Sequence, residues 1–322
     1  MKRAQLRGPV LRSVSRSFYL TIRMLPGALR QPVGLAYLLA RASDTIADAP
    51  GAPVSSRSEH LAAFRQMIRQ GNTHGLSALQ FAINSPHPGE TTLIRNLDTC
   101  LEMLRAQPEF DRAAIQAVME KIIHGQAGDL DWFGHADSVR ALPDAAVLER
   151  YTYHVAGSVG EFWTELCAHH LPNYSRLPLA ELAALGVDFG KGLQLVNILR
   201  DLPADLRDGR CYLPASELPP DLLATAEKAQ PVFDHWRERA GELLEAGRRY
   251  IRAIRPARVR AGCFLPWYLG VKTLDLLRER SPLLADEKIK VSRATVRAGL
   301  FRAALAAFSD GPLEGPKPAP QP

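Results

Sequence analysis

Apolar residues recur at spacings of three and four along nearly the whole chain, and alternating runs of the β type are scarce. That pattern commits the chain to packed amphipathic helices. It predicts helices over about 28–48, 58–70, 91–105, 111–132, 144–169, 179–202, 221–253, 257–280 and 291–309. Turn-forming stretches punctuate them at Ala49–Ser58, Asn84–Glu90, Leu171–Pro178 and Pro214–Pro220. None of these connections is long enough to demand a domain break. The expectation is one all-α domain over residues 1–309, followed by a disordered Pro-rich tail over 310–322.

Charge narrows the function classes. Forty Lys and Arg against 34 Asp and Glu give a net charge of +6, which suits an anionic surface or a phosphorylated substrate. The arginines are spread through the chain, so no basic nucleic-acid arm is indicated and no nucleic-acid partner is expected. The longest wholly apolar candidates, Gly34–Ala40 and Cys263–Val271, fall well short of the ~20 residues of a membrane span. A basic N-terminus without an apolar core or a small-residue cleavage site does not read as a signal peptide. Cys100, Cys167, Cys211 and Cys263 lie far apart, with neither disulfide-framework nor zinc-ligand spacing. A cytoplasmic protein with no transmembrane segment, touching a membrane peripherally at most, is expected.

Two acidic motifs carry the chemistry. In Tyr37-Leu-Leu-Ala-Arg41-Ala-Ser-Asp44-Thr-Ile-Ala-Asp48 the two aspartates are i and i+4, one turn apart on one helix face. Tyr37 returns to nearly that face, and Arg41 lies between. Two neighbouring acids repel each other, and a divalent cation relieves the repulsion. Oxygen ligands favour Mg²⁺, which bridges carboxylates to substrate phosphates. Alone, such a spacing is more often a pair of solvated acids.

The second motif makes it specific. Gln194, Asn197, Asp201 and Asp205 follow spacings of three, four and four, a polar stripe flanked by Leu193, Leu195, Val196, Ile198 and Leu199. The stripe is expected to face an interior cavity, where polar groups need partners. Arg16, Arg41, Arg200 and Arg210 fall in or beside the motifs, and their planar forks match phosphate oxygens.

With these residues in place, the chain resembles the squalene/phytoene synthase family of head-to-head prenyl transferases. The resemblance runs from Ser15-Arg-Ser-Phe18 through both acidic motifs, Tyr151-Thr-Tyr-His-Val-Ala-Gly-Ser-Val-Gly160 and Gly209-Arg-Cys-Tyr-Leu-Pro214 to Ile289-Lys-Val-Ser-Arg293. It implies a single-domain isoprenoid-synthase-type helical bundle around a central cavity. It also implies several Mg²⁺ ions on Asp44, Asp48, Asp201 and Asp205, and diphosphate binding by Arg16, Arg41, Gln194, Asn197, Arg200 and Arg210. Phe18, Tyr37, Arg41 and Tyr151 occupy the family's catalytic positions, the aromatic faces shielding a carbocation without adding to it.

The implied reaction joins two farnesyl diphosphates through presqualene diphosphate, and NADPH then supplies a hydride to give squalene. Phytoene, dehydrosqualene or presqualene diphosphate are the alternative products. Some relatives with this fold act instead as respiratory-complex assembly factors, but those tend to lose the acids kept here. The run Leu39-Ala-Arg41-Ala-Ser-Asp44 resembles squalene synthases, whereas Asp208-Gly-Arg-Cys-Tyr-Leu-Pro214 resembles phytoene synthases as well. No glycine-rich dinucleotide loop follows a strand, so any NADPH is expected beside the cavity. Two departures bear on the site. Pro203 is expected to kink or end the helix near Leu202 and to displace Asp205. Gly262 stands where eukaryotic squalene synthases tend to carry an aromatic, leaving Phe264 or Trp267 to shield the late cation.

Overall fold

The computed structural model describes residues 3–15, 18–134, 138–219, 226–281 and 289–314. Short elements open the chain: α1 (Arg3–Gln5), a π-type turn at Leu6–Val10, α2 (Leu11–Ser15) and α3 (Phe18–Met24). There follow α4 (Gly27–Ala47), α5 (Val54–Gln70), α6 (Leu76–Ala82), α7 (Pro88–Ile94), α8 (Leu97–Arg105) and α9 (Glu109–Phe133). Then α10 (Ala145–Thr152) passes through a π-type turn at Tyr153–Gly157 into α11 (Ser158–His170). The last long helices are α12 (Leu179–Arg207), α13 (Gln230–Ala253), α14 (Ala257–Glu279) and α15 (Arg293–Ala306). Among the described residues two short strands, β1 (Arg140–Leu142) and β2 (Arg210–Pro214), pair in parallel with an irregularity between Ala141 and Leu142.

The predicted periodicity is realised as one continuous apolar core, with Leu38, Leu39, Phe64, Phe233, Tyr250 and Phe264 fully buried in it. At its centre α12 packs against α11 and α13. The α11–α12 crossing depends on glycine. A Cβ on Gly160 would fall 1.9 Å from the Gly186 carbonyl oxygen, and one on Gly190 would fall 2.2 Å from that of Ala156. Small residues here let two backbones touch, which is what the Gly157 and Gly160 pattern suggests. By length and composition α12 is also apolar enough to cross a membrane, but half of its most apolar window is buried inside the protein. It is the core helix of the bundle.

Several expectations need correction. The predicted helix over 91–105 is broken at Arg95 and Asn96, where Asn96 Nδ2 donates to the Thr92 carbonyl at 2.7 Å and competes with the backbone ladder. The chain before Gly27, given no helix by the periodicity, contains α1 to α3. The predicted helix from 221 becomes a 3₁₀ turn at Ala226–Ala229 and α13, while 221–225 lie outside the described residues. The tail does not begin at 310: Asp310 pairs with buried Arg260, and Leu313 is fully buried in a 3₁₀ turn. Residues 315–322 lie outside the described residues.

The largest correction concerns Pro203. It lies inside α12, which continues to Arg207. Proline there removes the hydrogen bond its N–H would give to the Leu199 carbonyl and crowds that carbonyl, yet fully buried Leu199 and Leu202 hold the turn by packing. Asp205 therefore stays on the helix with Asp201. All four cysteines are free and buried.

Candidate active site

Three helices bring their C-terminal ends to one place. Asp44 is in the last turn of α4 and Asp48 caps it, its N–H bonded to the Asp44 carbonyl at 2.8 Å. Asp205 is in the last turn of α12, and Asp129 is in the last two turns of α9. Helix C-termini carry partial negative charge, so carboxylates there compound one another's repulsion and invite cations.

The local partners are specific. Gln126 Nε2 donates to Asp44 Oδ1 at 2.5 Å, bridging α9 and α4. Arg41 Nη1 lies 3.8 Å from Asp44 Oδ2 and 3.9 Å from Glu90 Oε1 on α7. Tyr212 donates its hydroxyl to Asp129 Oδ2 at 3.0 Å, and its ring stacks on Tyr151 with centroids 4.9 Å apart. After α12 the chain reverses through Gly209 at φ +78°, a left-handed conformation that suits glycine. The β1–β2 pairing then sets Arg210 back over the helix end. Arg210 Nη2 stands 3.4 Å from Asp205 Oδ1, and Nη1 4.0 Å from Asp48 Oδ1.

This crowding shows in the titration of the acids. Burial pushes the Asp44 carboxyl up to about 6, against the pull of Arg41, with Asp48 adding to the rise. Burial likewise pushes Asp129 up to about 6 despite the Tyr212 hydrogen bond, with Asp48 and Asp205 adding to it. Asp48 itself stays exposed at the helix end, facing the positive charge of Arg210. The Tyr151 phenol is raised by burial and then by Asp129, so it stays protonated.

Most expected site residues come together here. Tyr37 donates to the Val14 carbonyl at 3.1 Å, and its ring lies 5.1 Å from that of Phe18. Arg41 Nη2 lies 3.5 Å from the Tyr37 hydroxyl. Arg200 grips Asp201 through Nη2 at 2.5 Å and Nε at 3.2 Å. The stripe on α12 does not face a dry interior, however: Asn197 is exposed, and Gln194, Asp201 and Asp205 are half-buried. Water reaches that face because the inward-packing side of the helix is carried by Leu195, Val196, Ile198 and Leu199. Arg16 lies outside the described residues. Phe264 and Trp267 are buried together, with ring centroids 5.4 Å apart, and the Trp267 indole N–H is bonded to the Leu244 carbonyl.

Four members of the site are not anticipated by the sequence reading: Glu90, Gln126, Asp129 and Tyr212. Gln126 and Asp129 do carry a signal, being polar and one turn apart amid buried Ile122, Ile123, Leu130 and Phe133. Tyr212 lies in a recognisable motif but has no assigned role there. An open groove of about 550 Å³ lined by Gly8, Pro9, Arg12, Ser13 and Tyr19 contains none of these acids. Convergent charge, more than open volume, marks the site.

The site is thus an all-α bundle with acids and arginines gathered at converging helix ends. The chain belongs to the squalene/phytoene synthase family, whose model matches residues 11–295. That is a family of prenyl transferases. Among curated relatives, it is 30% identical over 207 residues to the squalene synthase of Saccharomyces cerevisiae, covering 64% of this chain and 44% of that one. It is 29% identical over 208 residues to a bifunctional lycopene cyclase/phytoene synthase of Blakeslea trispora, covering 64% of this chain and 31% of that one. The chain thus spans less than half the length of either relative. In fold it resembles a squalene synthase, TcSQS, with the ligand E5700 (TM-score 0.78, 20% identity, 94% and 87% of the two chains covered). It also resembles a dehydrosqualene synthase with bound ligand (TM-score 0.60, 21% identity, 93% and 94% covered).

Proposed function

We propose that this protein catalyses the head-to-head condensation of two molecules of farnesyl diphosphate through presqualene diphosphate, with Mg²⁺ at the acids and squalene as the end product when NADPH is supplied. The observation that carries this reading is the site's mutual incompleteness. Buried Asp129 Oδ1 and Gln126 Oε1 have no hydrogen-bond partner, and neither have the buried Nε atoms of Arg41 and Arg210. Lone acceptors among acids fit a divalent cation, and lone guanidinium donors fit diphosphate oxygens.

Among the described residues no three His, Cys, Asp or Glu side chains form a cage by themselves. Mg²⁺ takes one or two carboxylates and completes its shell with water and substrate phosphate. Asp44, Asp48, Asp201 and Asp205 would hold several such ions between them, with Asp129 beside them, and when bound these would neutralise the charge on the departing diphosphate. The chain's own groups do the rest. Arg41 and Arg210 orient the diphosphates through their free Nε donors. Phe18 and Tyr37 on one side, and Tyr151 stacked on Tyr212 on the other, offer aromatic faces to an allylic cation. Tyr151, held protonated by burial and by Asp129, keeps its hydroxyl neutral beside that cation.

Purified protein incubated with farnesyl diphosphate and Mg²⁺, with and without NADPH, tests this. Squalene formed only with NADPH is the expected result. A C30 hydrocarbon or presqualene diphosphate irrespective of NADPH keeps the condensation and changes the product. Phytoene from geranylgeranyl diphosphate alone moves the chain to the phytoene branch, which the run Asp208–Pro214 also resembles. No coupled product from either substrate overturns the enzymatic reading.

A further inference from the structure

Helix α15 has two unlike faces. The inner one is small: Gly299, Ala303 and Ala306 are buried, and a Cβ at 299 would fall 2.8 Å from the Tyr268 ring of α14. The outer one carries Ala294, Ala298, Phe301, Leu305 and, just past the helix end, Phe308, at spacings of four, three, four and three. That is a single apolar stripe. Phe301 is 68%, Leu305 48% and Phe308 86% exposed. Isolated apolar residues on a surface need no explanation, but two phenylalanines and a leucine in one line do.

This stripe is not a frayed end. Buried Arg260 donates to the Ser309 carbonyl at 3.1 Å and pairs with Asp310, and Leu313 is fully buried just beyond. The chain carrying Phe308 is thus tied down while the phenyl ring is left in water. Along the stripe stand Lys290, Arg293, Arg297 and Arg302, all exposed. Helix α15 contains no Asp or Glu, and among the described residues none of these four cations forms an ion pair. Arg302 instead lies over the Tyr268 ring, 5.7 Å from its centroid.

We propose that the outer face of α15 seats the protein on an anionic lipid surface, with Phe301, Leu305 and Phe308 entering the acyl boundary and the four cations meeting the headgroups. An apolar stripe edged by exposed cations is the composition of an interfacial helix. A second copy of the chain is the poorer occupant, because a two-fold contact through this stripe sets arginines against arginines. The proposal stands whichever prenyl product the enzyme makes.

Co-sedimentation with phosphatidylcholine vesicles, with and without phosphatidylglycerol, is the test. Full-length protein partitions onto the anionic vesicles and about tenfold less onto neutral ones or at high salt. The double variant Phe301→Ser, Phe308→Ser loses about tenfold in partitioning, with an unchanged melting curve and unchanged turnover of soluble substrate. Since the native cysteines are buried, Phe308→Cys accepts an environment-sensitive dye selectively, and its emission shifts to the blue on anionic vesicles alone. Failure of the wild type to partition, equal partitioning of the double variant, or an unshifted dye overturns the proposal. So does a concentration-dependent dimer that the double variant abolishes.

Discussion

Arg210 Nη1 stands 4.0 Å from Asp48 Oδ1, so a cation at the start of β2 reaches the end of α4 while its other nitrogen remains on Asp205 of α12. As an ion pair the contact with Asp48 is weak, because the Asp48 side chain is 74% exposed. Its value lies in position. It places one guanidinium between the two acidic motifs, where it moderates their repulsion before a cation arrives and offers its unpaired Nε to an anion.

Replacing that cation tests its role. Arg210→Ala is expected to lower kcat/KM by about 10² to 10³, the usual loss on removing a donor aimed at developing charge. Arg210→Lys keeps the charge without the fork and should recover only part of it. Steady-state kinetics across a Mg²⁺ titration separate the effects, since the Ala variant leaves Asp48 and Asp205 less neutralised and should bind Mg²⁺ more tightly in the absence of substrate. Unchanged kinetics in both variants would remove Arg210 from the site.

The continuation of α12 through Pro203 makes Asp205 the equal of Asp201. Asp201→Ala and Asp205→Ala should each reduce turnover by at least about tenfold at saturating Mg²⁺, with the helical circular dichroism spectrum intact. Turnover by Asp205→Ala close to the wild type would show that the proline does exclude it. Pro203→Ala restores the missing N–H to the Leu199 carbonyl, and the protein should gain about 1–2 kcal/mol, seen as a rise of about 2–4 °C in melting temperature.

Much of this was legible in the sequence because it is written in local periodicity. The long helices α4, α9, α12 and α14 follow the spacing of their buried leucines and isoleucines, and both aspartate pairs follow from the i, i+4 rule on one helix each. One side of the close crossing is visible as Gly157 and Gly160 in an otherwise helical run, while its partner Gly186 emerges only from the packing. What periodicity cannot carry is which elements meet. Asp129 joins the site only because α9 crosses α4, and Tyr212 only because β2 pairs with β1 and turns its motif toward α9. The Pro203 expectation failed for the converse reason: a local rule gave way to the packing of Leu199 and Leu202.

Gln126 and Asp129 should therefore behave as members of the site. Asp129→Asn is expected to reduce turnover by about 10- to 100-fold, as losses around metal ligands do. It should not lower the melting temperature, because it removes a buried charge whose Oδ1 has no partner. Tyr212→Phe separates positioning from charge: it leaves the carboxylate but frees its Oδ2, and should give a smaller loss than Asp129→Asn. A destabilised Asp129→Asn protein with normal turnover would make Asp129 a structural acid only.

The raised acids also set a pH dependence. Asp44 and Asp129 each titrate at about 6 in the folded chain, above the ordinary aspartate value near 3.9. A folded-state value above the unfolded one means that the folded protein binds the proton more tightly, so stability falls as pH rises from about 4 through 6. Metal-free protein should consequently melt at a higher temperature at pH 5 than at pH 7 as far as these two groups are concerned. For Asp44 the two-unit rise sets a ceiling of about 3 kcal/mol. Its side chain is 45% exposed, and screening by water brings that to about 1 kcal/mol. Protons and Mg²⁺ compete for the same oxygens, so the Mg²⁺ concentration for half-maximal rate should climb as pH falls through 6, while excess Mg²⁺ flattens the profile. Thermal melts and Mg²⁺ titrations of the wild type and Asp44→Asn at both pH values check this. A wild-type Mg²⁺ requirement independent of pH between 5 and 7 would mean that these carboxylates are not where the cation binds.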